Sequence, residues 1–356
     1  MLQISSRKAS KSNLSLKQLT GWLTVLFLSI MMAGPSLHGQ ALNIPAAEYG
    51  LSLGNSKEFT GIRINVRDKN VQKINGFNLT FWSPVENNVA IYNGLSLGVM
   101  AKGGHLNGIH TGIIGAAAQY KINGIAFGLL GAGAGEAING IAFGLLGAGS
   151  GGTIQGIALG GLGAGAGSNF KGISLGGLGS GTGGDFTGIA IGGLGAGAGG
   201  NYTGIGIGGL GLGAGGHFKG IGFGGLGVGA GGDFTGAGFG MVGVGCGGTL
   251  RGLAVGGFGT GAPVIKGMTL SGVASGAEKF IGVNGSIGVL RIPDGGQFKG
   301  LSVSTFNWIK GNQTGITIGL LNIAKELNGL QVGILNYADN NPKWLRVLPI
   351  LNVHLN

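Results

Sequence analysis

Nine glycines, Gly124, Gly140, Gly156, Gly172, Gly188, Gly204, Gly220, Gly236 and Gly252, follow one another at intervals of sixteen residues. Each precedes an alternating apolar pair, and a fixed period of this length means one supersecondary unit used repeatedly. The unit from Phe186 to Asn201 reads Phe-Thr-Gly-Ile-Ala-Ile-Gly-Gly-Leu-Gly-Ala-Gly-Ala-Gly-Gly-Asn, and its neighbours keep the same residue classes. The anchor recurs less regularly at Gly50, Gly61, Gly76, Gly94 and Gly108 before the array, and at Gly267, Gly282, Gly300, Gly315 and Gly329 after it. One repeat-built domain is therefore expected over residues 42–356. It comprises irregular N-terminal β repeats over 42–120, the regular array over 121–266, and C-terminal repeats with a closing strand over 267–356.

Glycine occupies 87 of 356 positions. Each costs a helix about 1 kcal/mol relative to alanine, so strands must carry the array. Collagen is excluded because glycine is not every third residue and there are 7 prolines. Charged residues make up 9% of the chain, too few for a disordered segment kept open by charge.

Before the repeats, Arg7, Lys8, Lys11 and Lys17 precede an apolar run from Trp22 to Met32 and then Ala33-Gly34-Pro35. This is the pattern of a secretory signal peptide over residues 1–41, with small residues near Gly39 and Ala41 for cleavage. The expected location is the outer membrane or cell surface. The single cysteine, Cys246, lies far from the signal, so neither a lipid anchor there nor a disulfide is available. Cations such as Lys171, Lys219 and Arg251 stand singly, which argues against a nucleic-acid partner.

Within a unit, Ile189 and Ile191 alternate with Ala190, and after Gly192-Gly193 the alternation resumes one step shifted at Leu194, Ala196 and Ala198. A bulge at the double glycine would hold all five on one face, with Ile189, Ile191 and Leu194 as the apolar face. Asn169, Asp185, Asn201, His217, Asp233 and Thr249 mark a turn in successive units. An aromatic stands beside the turn at Phe170, Phe186, Tyr202, Phe218 and Phe234.

Apolar middles with aromatic edges match transmembrane strands, which need roughly 9–11 residues. The fold expected first is an all-β, antiparallel meander closing as a barrel, with about one strand per 14–16-residue repeat. The alternative is a β-solenoid with sixteen-residue coils, in which the aromatics would form one stacked ladder. The constant period favours the solenoid, whereas the lack of polar side chains on either strand face favours the barrel. The apolar alternation from Leu345 to Leu355 suits a barrel-closing strand, and Pro349 suits an edge or cap.

Two late units read Gly315-Ile316-Thr317-Ile318-Gly319-Leu320-Leu321-Asn322 and Gly329-Leu330-Gln331-Val332-Gly333-Ile334-Leu335-Asn336. They resemble the bacterial surface-repeat proteins built from GLQIGLxN units, as does the ending Val347-Leu348-Pro349-Ile350-Leu351-Asn352. The match covers roughly the last forty-five residues; over 120–260 the motif asparagine is replaced by glycine, as at Gly131 and Gly147. The resemblance implies an exported surface or outer-membrane protein, and it supplies no catalytic or ligand residues.

Little else suggests chemistry. His38, His105, His110, His217 and His354 show no metal-binding spacing. Dinucleotide-like glycine patterns lack the required helix and acid, and paired carboxylates for acid/base work would have to come from only 11 acids in the whole chain. A non-enzymatic protein without cofactor, metal or small-molecule substrate is expected, with membrane lipid as its partner. Three roles fit: a passive channel or structural barrel, a secreted or cell-surface solenoid with an adhesive or structural role, and an apolar barrel binding lipid or another hydrophobic ligand.

Overall fold

The computed structural model describes residues 41–44 and 48–355; residues 1–40, and with them nearly all of the expected export signal, lie outside the described residues. The described chain holds strands and no helix. Each regular unit forms two strands, exemplified by Phe186–Gly192 and Gly195–Ala198. Corners at Gly193-Leu194 and at Gly199-Gly200-Asn201 join them.

Every strand of the array pairs in parallel with its counterpart in the next coil, sixteen residues on until the last coil, where Gly252 lies opposite Gly267. Phe186 lies opposite Tyr202, Gly188 opposite Gly204 and Gly195 opposite Gly211. The units are therefore coils of a β-solenoid, stacked in register along two parallel faces, and the barrel is overturned. A meander with one strand per repeat would pair successive units antiparallel, and the array contains only parallel ladders.

The error lies at the double glycine. The strand ends at Gly192 and the chain turns a corner at Gly193-Leu194 instead of forming a bulge, so it doubles back there. Ile189, Ile191 and Leu194 point outward while Ala196 and Ala198 point into the core.

Antiparallel pairing appears at the two ends. Leu42–Ile44 lies against Tyr49–Leu53, and Val347–His354 lies against Gly329–Tyr337. The last strand, read from sequence as closing a barrel, instead caps the stack and satisfies backbone groups that a terminal coil would otherwise present.

Inside the central coils, the aromatics expected beside the turns start the long strands and face inward, each 0–1% exposed. Phe170, Phe186, Tyr202, Phe218 and Phe234 form one ladder with ring centroids 4.8–5.0 Å apart. That is the spacing of adjacent strands, so in-register stacking sets the ring contacts. Tyr202 keeps its hydroxyl satisfied by donating to the Ile205 carbonyl at 2.7 Å.

The two sheets share the remaining space reciprocally. Ala190 faces a coil with Ala196, whereas Gly206, Gly222 and Gly238 belong to coils with Leu212, Val228 and Val244. A methyl group added at Gly222 would sit 2.8 Å from Leu212, 2.9 Å from Val228 and 3.2 Å from Phe218.

Towards both ends the core becomes polar. Arg63 and Asp68 form a fully buried ion pair at 2.6 Å, and Asp68 also accepts from Asn65 and Tyr92. Near the other end Asn307, Asn322 and Asn336 form an internal ladder with 2.7 Å bonds between neighbours. Asn322 and Asn336 are the motif asparagines. Asn307 is in register with Leu290, Leu290 with Ser275, Ser275 with Thr260, and Thr260 with Val244. The corner of the regular coils is one residue longer, so the structural counterpart of the asparagine is the inward Ala196 or Val244, not the glycine that aligns with it in sequence.

Candidate binding surface

Strand alternation gives the long-strand face a fixed cross-section. Reading outward positions along the coil of Gly188, Thr187 comes first, then Ile189, then Ile191, and Leu194 at the corner. In-register stacking turns each position into a column. Ile189, Ile205 and Ile221 are 37–42% exposed, Ile191, Ile207 and Phe223 are 38–42% exposed, and Leu194, Leu210 and Leu226 are 50–55% exposed. The three proposed apolar-face residues are thus brought together on one external surface, where they contact solvent rather than the core.

The columns run through the array from its first coil and continue past its last. Ile125 and Phe127 stand in them near one end, and Ile316 and Ile318 near the other. Coils repeat at roughly 4.8 Å and strand residues at about 3.3 Å, so the nine coils from Gly188 to Gly315 alone present a face on the order of 38 Å by 20 Å. Soluble monomers seldom expose contiguous apolar patches beyond a few hundred square ångströms.

A shallow groove runs along this face beside the corner. Gly208, Gly209, Gly224 and Gly225 floor one stretch, walled by Ile207, Phe223 and Phe239. Val255 and Gly257 join it to a stretch of about 680 Å³ that reaches Val303, and Val303 continues it to Ile318 and Val332.

The opposite edge is polar and ordered by ladders. The Asp185 N–H donates to Asn169 at 2.8 Å, Asn201 to Asp185 at 2.7 Å, His217 to Asn201 at 2.9 Å, Asp233 to His217 at 2.9 Å and Thr249 to Asp233 at 2.7 Å. The bond from Thr249 and the neighbouring Arg251 hold the Asp233 carboxyl below the usual range. Beside this edge the column just before each anchor glycine carries a second ladder, in which Asn75, Asn93, Asn107, Asn123 and Asn139 bond in sequence at 2.7–2.8 Å. Farther along, the same column holds Lys171, Lys219, Arg251, Lys266 and Lys299, all exposed, and no acid from Thr60 to Asn328.

Alignment of these cations was not evident from their scattered positions in the chain; counting each from its anchor glycine would have revealed it. The anchor glycines themselves stack on one another within the long-strand sheet. Gly124, Gly140, Gly156, Gly172, Gly188, Gly204, Gly220, Gly236 and Gly252 all have positive φ, from 119° to 139°.

Other candidates remain apart. His105 stacks on Tyr120 at 5.3 Å, whereas His110 is buried in the core, and burial pushes its imidazole down to about 4. Cys246 is a free, half-buried thiol, which burial pushes upward. Among the described residues no cluster of three His, Cys, Asp or Glu side chains could hold a metal ion. Comparison of the chain with protein-family models, curated proteins and solved structures gives no match.

Proposed function

We propose that this protein is an exported structural or adhesive β-solenoid whose long-strand face is its working surface. The observation that carries the reading is the set of outward-facing Ile, Leu and Phe columns along the outside of the stack, broken at Ala237 and Gly285. Those side chains do not fill the core, which the Phe170–Phe234 ladder and inward alanines already occupy. Burying such columns against another apolar surface is worth roughly 25 cal/mol per Å², so even partial coverage of the face gives firm attachment. The signal-like N-terminus and the resemblance of the last coils to bacterial surface-repeat proteins support a place at the cell surface.

Adsorption to octyl-coated beads, compared with hydroxyl-coated beads, tests this reading. Arginine at Ile189, Ile191, Leu194, Ile205, Ile207 and Leu210 should leave the β circular dichroism unchanged and reduce adsorption several-fold. Equal adsorption of the folded variant and the parent chain would remove the face from the function.

A further inference from the structure

We propose, resting on the reading above, that the occupant of this face is an anionic lipid surface, entered edge-on with the Leu194 corner leading and the Lys171–Lys299 column at the headgroups.

The argument starts from where polarity is absent. In the coil of Gly188 the corner presents Gly193 and Leu194, and the two outward positions of the short strand are Gly195 and Gly197. The coils of Gly204 and Gly220 repeat this pattern with Leu210 and Leu226 at the corner. The corner edge therefore carries no charge in these coils, while the far edge carries the Asn169-to-Thr249 ladder. The molecule is amphipathic across its width. An apolar edge with a polar edge opposite is the arrangement that partitions into a membrane interface.

Charge gives the occupant its sign. The border between apolar columns and polar edge holds five cations and no acid among its positions. Arg251 is tied to Asp233 at 3.1 Å, and the four lysines have no ion pair within the described residues. Lysines at this border can lay their methylene stems along the Ile columns and place their ammonium groups level with lipid phosphates. Two solenoids packed face to face about an axis along the strands would bring these borders together, like charge against like. The groove from Ile207 to Val332, floored in part by glycine, runs parallel to the solenoid axis and suits acyl chains lying along it.

The experiment uses the full chain with Cys246→Ser and an environment-sensitive NBD label at either Leu194→Cys or Asn201→Cys. Labelled proteins are mixed with phosphatidylglycerol vesicles, and the emission shift and dithionite protection are recorded. The expected result is a blue-shifted, protected probe at position 194 and an unshifted, reactive probe at 201. Lys171→Glu, Lys219→Glu and Lys299→Glu together should weaken vesicle binding at least tenfold at about 0.1 M salt, because charges near the surface are incompletely screened there.

Residues 22–32 are common to every variant, so the decisive quantities are the contrast between probes and the effect of the charge reversal. Equal response of the two probes, or unchanged binding after charge reversal, overturns the proposal. A position-194 probe that is already protected without vesicles, in a chain that sediments as a dimer, overturns it in favour of a second copy. If octyl adsorption still depends on the Ile and Leu columns while these lipid results fail, only the lipid assignment falls.

Discussion

Gly188 stacks directly on Gly172, in register, and a Cβ placed on Gly188 would run into the Gly172 carbonyl oxygen. Its φ of 133° belongs to the region that favours glycine. The same pair recurs from coil to coil, which makes the anchor column the spine of the solenoid.

Gly188→Ala should therefore lower stability by at least the ~1–3 kcal/mol of such backbone strain. The clash with Gly172 adds to it, because backbone cannot rotate away. Urea denaturation followed by circular dichroism measures the loss. A change within 0.5 kcal/mol, the size of an ordinary surface substitution, would contradict the close approach.

The reciprocal packing of Gly222 and Val228 makes a compensation testable. Gly222→Ala forces a methyl group against Leu212, Val228 and Phe218 and should cost about 1–3 kcal/mol, as overpacking does. Adding Val228→Ala relieves one of the contacts. A double-mutant cycle should show that the pair costs less than the sum of its single changes, with a coupling of roughly 0.5 kcal/mol or more. Strict additivity would show that the two positions do not share space.

These relationships were only partly legible in the sequence. The sixteen-residue period, the anchor glycines and the all-β class follow from Gly124 through Gly252 alone. Whether Ile189 or Phe186 faces inward does not follow, because both are apolar and they sit on opposite sides of the same strand. The reading that joined Ile189, Ile191, Leu194, Ala196 and Ala198 on one face failed at Gly192-Gly193, since a glycine pair permits either a bulge or a corner. The aromatic ladder discriminates between the folds, since only a solenoid stacks the rings, but which coils pair is visible only in the structure. The cation border stayed hidden because its members are 15 to 48 residues apart in the chain and adjacent only in cross-section.

Arg63 and Asp68 are both buried, 2.6 Å apart, near the N-terminal end of the stack. Asp68 is held below the usual carboxylate range: burial opposes ionisation, but the Arg63 charge and the bonds from Tyr92, Asn65 and Arg63 outweigh it. Arg63→Met should cost about 3–5 kcal/mol by leaving that carboxylate uncompensated. Hydrogen exchange should show the loss concentrated in Glu58–Asn65 and Lys73–Thr80. Protection equal to that of the parent chain in these strands would argue against the ion pair.

His110 sets a pH dependence. Its folded value is lowered from 6.5 to about 4 by burial, with the Asn107 backbone opposing the shift. The unfolded chain binds the proton more readily, so stability rises with pH across this window. The native state should be unaffected by His110 above about pH 6.5 and should weaken progressively as pH falls towards 4. His110→Leu should flatten that part of the urea-midpoint profile, and an unchanged acid slope would show that the imidazole is not buried as described.

In-register parallel stacking is the centre of the account, and paired spin labels sixteen residues apart test it most directly. In a Cys246→Ser background, cysteines replace Thr187 and Thr203, Ile191 and Ile207, or Leu194 and Leu210. Coil stacking places the backbones of every pair about 4.8 Å apart, so all three doubly labelled proteins should show strong dipolar broadening. An antiparallel meander would bring at most one of these pairs close, and broadening confined to a single pair would contradict the solenoid.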